Sequence, residues 1–294
     1  MKERVIYALG FFDGVHLGHQ ALLRACRELA ATACAKTGVV TFTSHPDTLV
    51  FGKTPGLINT PSDRELLLRQ YGVEQIVALP FDRALMDMPW QDFFRLLINK
   101  YNACGIVCGE DFRFGKGGQG TAALLEQACR VENISCRVVP AQKLEGITVS
   151  STHIRALLQA GDMAAAVRFL GHPHIFTGTV VAGRGLGHTM GIPTANMLLP
   201  EELVLPKLGV YAGCAAVDGK TCPAVTNIGS RPTVGGHQVR SESWLLDFDG
   251  DLYGKNICLQ LYTFLRPEKN FSSLEELLTE IRNNADQTRK ILEK

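Results

Sequence analysis

The chain changes rhythm after its first half, and that change limits what it can fold into. As far as Val139, short apolar runs alternate with stretches of helical periodicity; beyond Leu170, apolar runs follow one another with little but turn residues between them. Val5–Leu9, Val39–Phe42, Gln75–Leu79, Gly105–Cys108 and Cys136–Val139 are the strands expected of the first part. Gln20–Lys36 repeats Leu22, Cys26, Leu29, Ala30 and Ala33 along one helical stripe, and Trp90–Lys100 and Thr121–Glu132 read as further helices. Ser62-Asp63-Arg64-Glu65 has the form of a capping box, opening a helix to about Tyr71. Strands separated by helices build a parallel sheet covered on both faces, with ligands bound beyond the carboxyl ends of the strands.

Thr152–Gln159 and Asp162–Leu170 read as two short helices bridging to a second unit. There Thr177–Ala182, Val210–Val217, Ala224–Ile228, Ser241–Phe248 and Ile257–Phe264 are strand candidates, with turns at Asp218-Gly219 and Asp249-Gly250. Closely spaced strands without helices argue for an antiparallel barrel. A last helix is expected from Ser273 to about Leu292, opened by a capping box from Ser272 to Glu275. The fold class expected is α/β plus β: a Rossmann-like parallel-sheet domain over 1–168, then a β-barrel domain with a terminal helix over 169–294.

Two domains suit 294 residues, since one takes roughly 100–200. Hydrophobic residues are 46% of the chain, enough for a core in each half. Lys plus Arg total 30 against 29 Asp plus Glu, and this balance argues against a nucleic-acid binder built on a basic face. The apolar run from Val5 stops at Asp13 with no cleavage pattern after it, so it reads as a buried strand and not a signal peptide. No run approaches the ~18 apolar residues of a membrane span. Nine scattered cysteines in a signal-free chain read as reduced thiols of a cytoplasmic protein, and only Cys104 and Cys108 lie close together, without a second pair at zinc spacing. The expectation is a cytoplasmic monomer or weak homo-oligomer that engages neither membrane nor nucleic acid.

Val5–Leu9 runs into Gly10-Phe11-Phe12-Asp13-Gly14-Val15-His16-Leu17-Gly18-His19 and then a helix. Amides at a helix start carry partial positive charge and suit a polyphosphate. Gly10, Asp13 and Gly18 fall in this nucleotide-binding turn, Gly18 allowing close backbone approach. His16 and His19, three residues apart, share one face of the first turn and can donate to phosphate oxygens as charge builds at phosphorus. Two further segments reach the same sheet edge. In Gly109–Gly115, Asp111 can bond a ribose or flavin edge and Arg113 a phosphate. In Ser150–Arg155, the hydroxyls of Ser151 and Thr152 and the charge of Arg155 make an anion site; read alone, Ser151-Thr152 would be a plain N-cap.

A second glycine-rich stretch holds Gly183, Gly185, Gly187 and Gly191, followed by Pro193-Thr194-Ala195-Asn196. Its exposed amides can cradle phosphate. It lacks the Gly-Lys-Ser/Thr ending of a P-loop, and by glycine content alone a flexible barrel turn is the better reading. Thr194 and Asn196 offer neutral oxygen ligands that suit Mg²⁺ shared with phosphate oxygens.

With Asn227-Ile228-Gly229-Ser230-Arg231-Pro232-Thr233, Asp247–Gly254 and Leu265-Arg266-Pro267-Glu268, these words in this order resemble the prokaryotic bifunctional riboflavin kinase/FAD synthetases over nearly the whole chain. The resemblance implies an N-terminal nucleotidyltransferase domain and a C-terminal six-stranded flavokinase barrel. The barrel would phosphorylate riboflavin from ATP to FMN; the first domain would adenylylate FMN to FAD, releasing pyrophosphate. It implies that Glu242 is the kinase's general base, that Thr194 and Asn196 hold Mg²⁺ and the nucleotide phosphates, and that Asn196 and Arg266 lie near the flavin. Adenylyl transfer needs no protein nucleophile, since the FMN phosphate can attack the α-phosphorus while His16, His19, Arg155 and Mg²⁺ align charge.

The chain departs from the pattern at Thr148, where many relatives carry Arg, at Trp244, where His is frequent, and at Leu186 and His188, which replace arginines. Thr148 leaves open a kinase with a weakened adenylyltransferase. A flavin-binding regulator would predict loss of Glu242 or Asn196 or an added DNA-binding segment, and the sequence has neither.

Overall fold

Val5–Leu9 (β1), Lys36–Phe42 (β2), Gln75–Leu79 (β3), Ala103–Gly109 (β4) and Ser135–Val139 (β5) form a five-stranded sheet in the order β3-β2-β1-β4-β5. Every pairing in it is parallel. A computed structural model describes residues 3–183, 191–233 and 236–293, with backbone alone at 231–233 and 236–237. By its contacts the chain divides into two units, Met1–Pro55 with Arg64–Ser151, and Gly56–Asp63 with Thr152–Lys294.

In the first unit β1 is buried along its whole length, as a central strand with both faces covered must be. Leu17–Ala33 (α1) buries Leu22, Leu23, Ala25, Cys26 and Ala30. Trp90–Asn99 and Ala122–Val131 bury Phe93, Leu97 and Leu125 in a core with Tyr7, Leu9 and Ile106. Each fully buried side chain of this size contributes roughly 1.5–3 kcal/mol. Strand order reverses at β1, whose neighbours are β2 and β4, so the carboxyl ends of β1 and β4 flank the crevice where such sheets bind ligands.

The helix Pro61–Gln70 starts earlier than the expected capping box. Thr60 Oγ1 takes the Asp63 N–H at 3.1 Å, and Asp63 Oδ2 accepts from Thr60 Oγ1 at 2.8 Å. Pro61, with fixed φ and no N–H, occupies the first position, so the cap falls before it and not at Ser62. The terminal helix Leu274–Leu292 is shifted likewise: Ser273 is the N-cap, accepting from Glu276 N, while the Glu276 carboxylate reaches back to Ser272 N at 3.0 Å.

In the second unit, His174–Thr179 (β6), Ala195–Leu198 (β7), Gly209–Val217 (β8), Lys220–Thr233 (β9), Gly236–Leu245 (β10) and Asn256–Arg266 (β11) form an antiparallel sheet in the order β6-β11-β8-β9-β10-β7. Its two edges meet: Val181, just past β6, bridges Asn196 in β7, with Val181 N donating to Asn196 O at 2.8 Å. The sheet is therefore closed into the expected barrel, which removes free edges. Ser151–Ala160 and Met163–Leu170 form the two short helices. Segment Gly56–Asp63 straps the barrel: Asn59 Nδ2 donates to Ile175 O at 3.1 Å, Asp63 Oδ2 accepts from Thr177 N at 3.2 Å, and Leu57 bridges Leu203. Next to it, His174 is buried, with no hydrogen-bond partner for Nδ1.

Candidate functional site

In the first unit, chain leaving β1 is held under strain. Phe12 and Val15 take left-handed φ values of 60° and 37°, with Gly14 at 83° between them. Both side chains are buried, and a β-branched residue tolerates that region badly. The turn ends at His16, which caps α1 by accepting the His19 N–H on Nδ1 at 3.3 Å. Any proton the His16 ring carries therefore sits on Nε2. The two imidazoles stack at 3.7 Å and 13°. Burial, then the neighbouring His16, then Arg64 hold His19 well below the usual histidine range, so its ring is neutral at pH 7. His19 Nδ1 is buried without a hydrogen-bond partner.

Gly10 donates to Val40 O at 3.2 Å, and a Cβ on it would meet the Phe12 ring at 3.2 Å. A Cβ on Gly18 would stand 3.1 Å from the His16 ring, closer than most such contacts, so a side chain there would press on that ring. Asp13 is buried, and Ser151 Oγ donates to Asp13 O at 2.9 Å. The expected juxtaposition of the strand-end turn and the Ser150–Arg155 segment is present at that bond. Thr152 is exposed. Arg155 groups with the second unit and donates Nε to Gly56 O at 2.7 Å. Beyond β4, the Asp111 carboxylate lies over Gly109, where a Cβ would fall 2.9 Å from Oδ1, and Arg113 is exposed in a short hairpin with Thr121.

Two residues of this edge escaped the sequence reading. Arg64 is only 4% exposed, donates to Phe11 O at 3.1 Å and Phe42 O at 2.9 Å, and lies 4.3 Å over the Phe11 ring. Burial lowers its pKa and the Asp13 charge opposes that shift. His45 caps the next helix through Asp47 N and packs edge-on against Phe11 at 4.6 Å. Arg64 stands in a polar run that looked like a solvated cap; only its position on the buried side of the helix distinguishes it.

In the second unit, a cavity of about 920 Å³ opens beside β10. Asn196, Glu242 and Asn227 stand directly opposite one another on β7, β10 and β9, so a carboxylate is flanked by two carboxamides roughly 4.5–5.5 Å away between Cβ atoms. Two residues on, Trp244 lies on the same face, opposite Val225. With Val210, directly opposite Asn227, and, from the terminal helix, Leu277 and Ile281, it gives the cavity apolar lining. Thr194, Asn196, Asn227 and Glu242 add polar side chains to the wall. Gly183 packs so closely on Asn196 that a Cβ would fall 2.5 Å from Nδ2. Gly185 and Gly187 lie outside the described residues, as do Leu186 and His188.

Arg266 lines the cavity but is tied to the terminal helix, donating to Asn284 Oδ1 at 3.1 Å and pairing with Glu280 at 3.0 Å. Asn227 and Glu268 stood in quoted motifs without an assigned role; both line the cavity. Thr148 is exposed in a hairpin with Lys143.

Asn196 Nδ2 donates to Thr194 O at 3.3 Å, which leaves the carboxamide oxygen for the cavity. Neutral oxygens of this kind fit a hard divalent cation that takes its other ligands from phosphate and water. Among the described residues no cluster of three or more His, Cys, Asp or Glu could hold a metal without such help. No described helix is long and apolar enough to cross a membrane.

Residues 1–153 match the family model for FAD synthetase, and residues 170–292 match that for riboflavin kinase. These ATP-using families bind flavins, and their chemistry is consistent with a divalent metal. A bifunctional riboflavin kinase/FMN adenylyltransferase of Listeria monocytogenes is 32% identical over 97% of this chain and 91% of its own. One from Escherichia coli K12 is 35% identical over 95% and 90%. A crystal structure described as a macrolide-efflux protein from Streptococcus pneumoniae is 30% identical and superposes with a TM-score of 0.88, over 98% of this chain and 95% of that one. With both family models matched in order and the relatives aligned almost end to end, the chain belongs to the bifunctional riboflavin kinase/FMN adenylyltransferase family.

Proposed function

We propose that this chain makes FMN and then FAD, with riboflavin kinase activity in residues 169–294 and FMN adenylyltransferase activity in residues 1–168. The observation that carries the kinase reading is the Asn196–Glu242–Asn227 row in the wall of a cavity that Val210, Trp244, Leu277 and Ile281 also line. A flavin suits such a cavity, its ring among Val210, Trp244 and Ile281 and its ribityl chain toward Glu242. Glu242 accepts the proton of the 5′-hydroxyl, whose oxygen attacks the γ-phosphorus as ADP leaves. Thr194 and Asn196 would hold Mg²⁺, which neutralises phosphate charge when bound. Arg266, braced on the terminal helix, borders the flavin. Gly183, with Gly185 and Gly187, lines the nucleotide phosphates.

For adenylyl transfer, an FMN phosphate oxygen attacks the α-phosphorus of a second ATP and pyrophosphate leaves. His16 and His19 are hydrogen-bond donors to that centre. The His19 ring, held neutral, donates without first losing hydration of a charge. Gly10, Asp13, Gly18, Ser151 and Thr152 shape the phosphate pocket, Arg155 supplies charge, and Asp111 and Arg113 take the nucleoside or flavin edge. The chain works in the cytoplasm, on soluble ATP, riboflavin and FMN.

A chromatographic time course from riboflavin with ATP and Mg²⁺, repeated from FMN, tests this. FMN first and FAD later is expected. FMN that accumulates without FAD, even from added FMN, would overturn the adenylyltransferase half, and no product from either start would overturn both.

A further inference from the structure

Asn227 has an oxygen with nothing to bond. Its Nδ2 donates to Glu268 Oε1 at 3.2 Å, whereas Oδ1 is buried with no hydrogen-bond partner. The assignment of the two amide atoms follows from chemistry, because a carboxylate accepts and does not donate, so the atom facing Glu268 must be nitrogen. Glu268 comes from the chain just beyond β11 and reaches across Gly229, where a Cβ would fall 2.5 Å from Oε1. Gly229 is two residues from Asn227 on the same strand face, so its missing side chain leaves room for this carboxylate. Asn227, Gly229, Glu242 and Glu268 also line a side pocket of about 100 Å³ off the main cavity.

We propose that Glu268 is a positioning residue: it orients the Asn227 carboxamide so that Oδ1 accepts a hydrogen bond from a hydroxyl of the substrate's polyol chain, next to the hydroxyl that Glu242 deprotonates. This rests on the kinase reading of the cavity. Asn227 is the direct cross-strand neighbour of Glu242. Vicinal hydroxyls sit on adjacent carbons, so an acceptor beside the base meets the hydroxyl beside the one phosphorylated. A buried acceptor without a partner is costly, and a polyol hydroxyl removes that cost only when substrate is bound. The pair would thus select flavins with a hydroxylated chain over the bare ring.

The test uses the full chain and follows FMN formation, measuring KM for riboflavin and the inhibition constant of lumiflavin, which has the ring without the polyol. Glu268→Ala and Asn227→Ala are expected to raise the riboflavin KM about threefold to tenfold, the worth of one hydrogen bond. kcat should change less, and lumiflavin inhibition should stay as in the unaltered chain. Glu268→Gln, whose carbonyl oxygen still accepts, should keep the original KM. Glu268 is exposed, so its replacement does not threaten the fold. If lumiflavin inhibition weakens in parallel with riboflavin binding, or if Glu268→Gln behaves like Glu268→Ala, the inference is wrong. If the unaltered chain makes no FMN, the kinase reading itself fails, and the inference with it.

Discussion

Two histidines illustrate how single residues couple this chain to pH. Burial, reinforced by His172, pushes His174 down to about 4, and burial with His16 and Arg64 lowers His19. A histidine whose folded-state pKa is depressed favours the folded chain above its unfolded value of about 6.5, and that contribution is lost as pH falls toward the folded value. For His174 the loss is about 2 kcal/mol by pH 5. Replacing it with Gln should therefore narrow the gap between melting temperatures at pH 7 and pH 5. An unchanged gap would show that His174 does not titrate as its burial demands. The proposed division of labour rests on residues too. Glu242→Ala should abolish FMN formation while FMN-to-FAD conversion survives, and His19→Ala should do the reverse; equal damage to both reactions in a folded chain would refute the two-site assignment.

At the scale of elements, the caps and tight packings can be weighed. Thr60→Ala removes the N-cap of the helix that carries Arg64 and should cost about 1 kcal/mol, read as a lowered denaturation midpoint. Gly183→Ala places a methyl against Asn196 and should impair FMN formation while sparing conversion of FMN to FAD. Element type was readable wherever periodicity ran long, as in α1 and β1. Ala195–Leu198 was missed as a strand because four residues after Gly191 and Pro193 carry too little alternation to stand out. Lys220–Thr233 is far longer than the expected Ala224–Ile228. Pro223, Gly229 and Pro232, residue types that usually interrupt strands, sit within a continuous strand of the closed barrel.

For the whole molecule, both layer architectures could be read from the sequence, because the change from helix-separated to turn-separated strands is a property of long stretches; the order of the two family domains came from the resemblance of the motifs. The membership of Gly56–Asp63 could not. Nothing local marks eight residues inside one unit's sequence as belonging to the other, since their partners Ile175, Thr177 and Leu203 lie more than a hundred positions away. A fragment starting at Thr152 should accordingly melt below one in which Gly56–Asp63 is joined ahead of Thr152 by a Gly/Ser linker. Five lost hydrogen bonds at about 1 kcal/mol each predict a gap of roughly 10–20 °C, and equal melting temperatures would show that the strap adds nothing. The strap also sets a schedule for the ribosome. Asp63 leaves the exit tunnel long before Thr177 exists, and at roughly 5–20 residues per second the wait is on the order of ten seconds. A nascent sheet forming around β1 and β2 must leave this segment, with Leu57 and Ile58, unclaimed for that time, so the stretch from Gly56 to Asp63 is where a chaperone would find an early handhold.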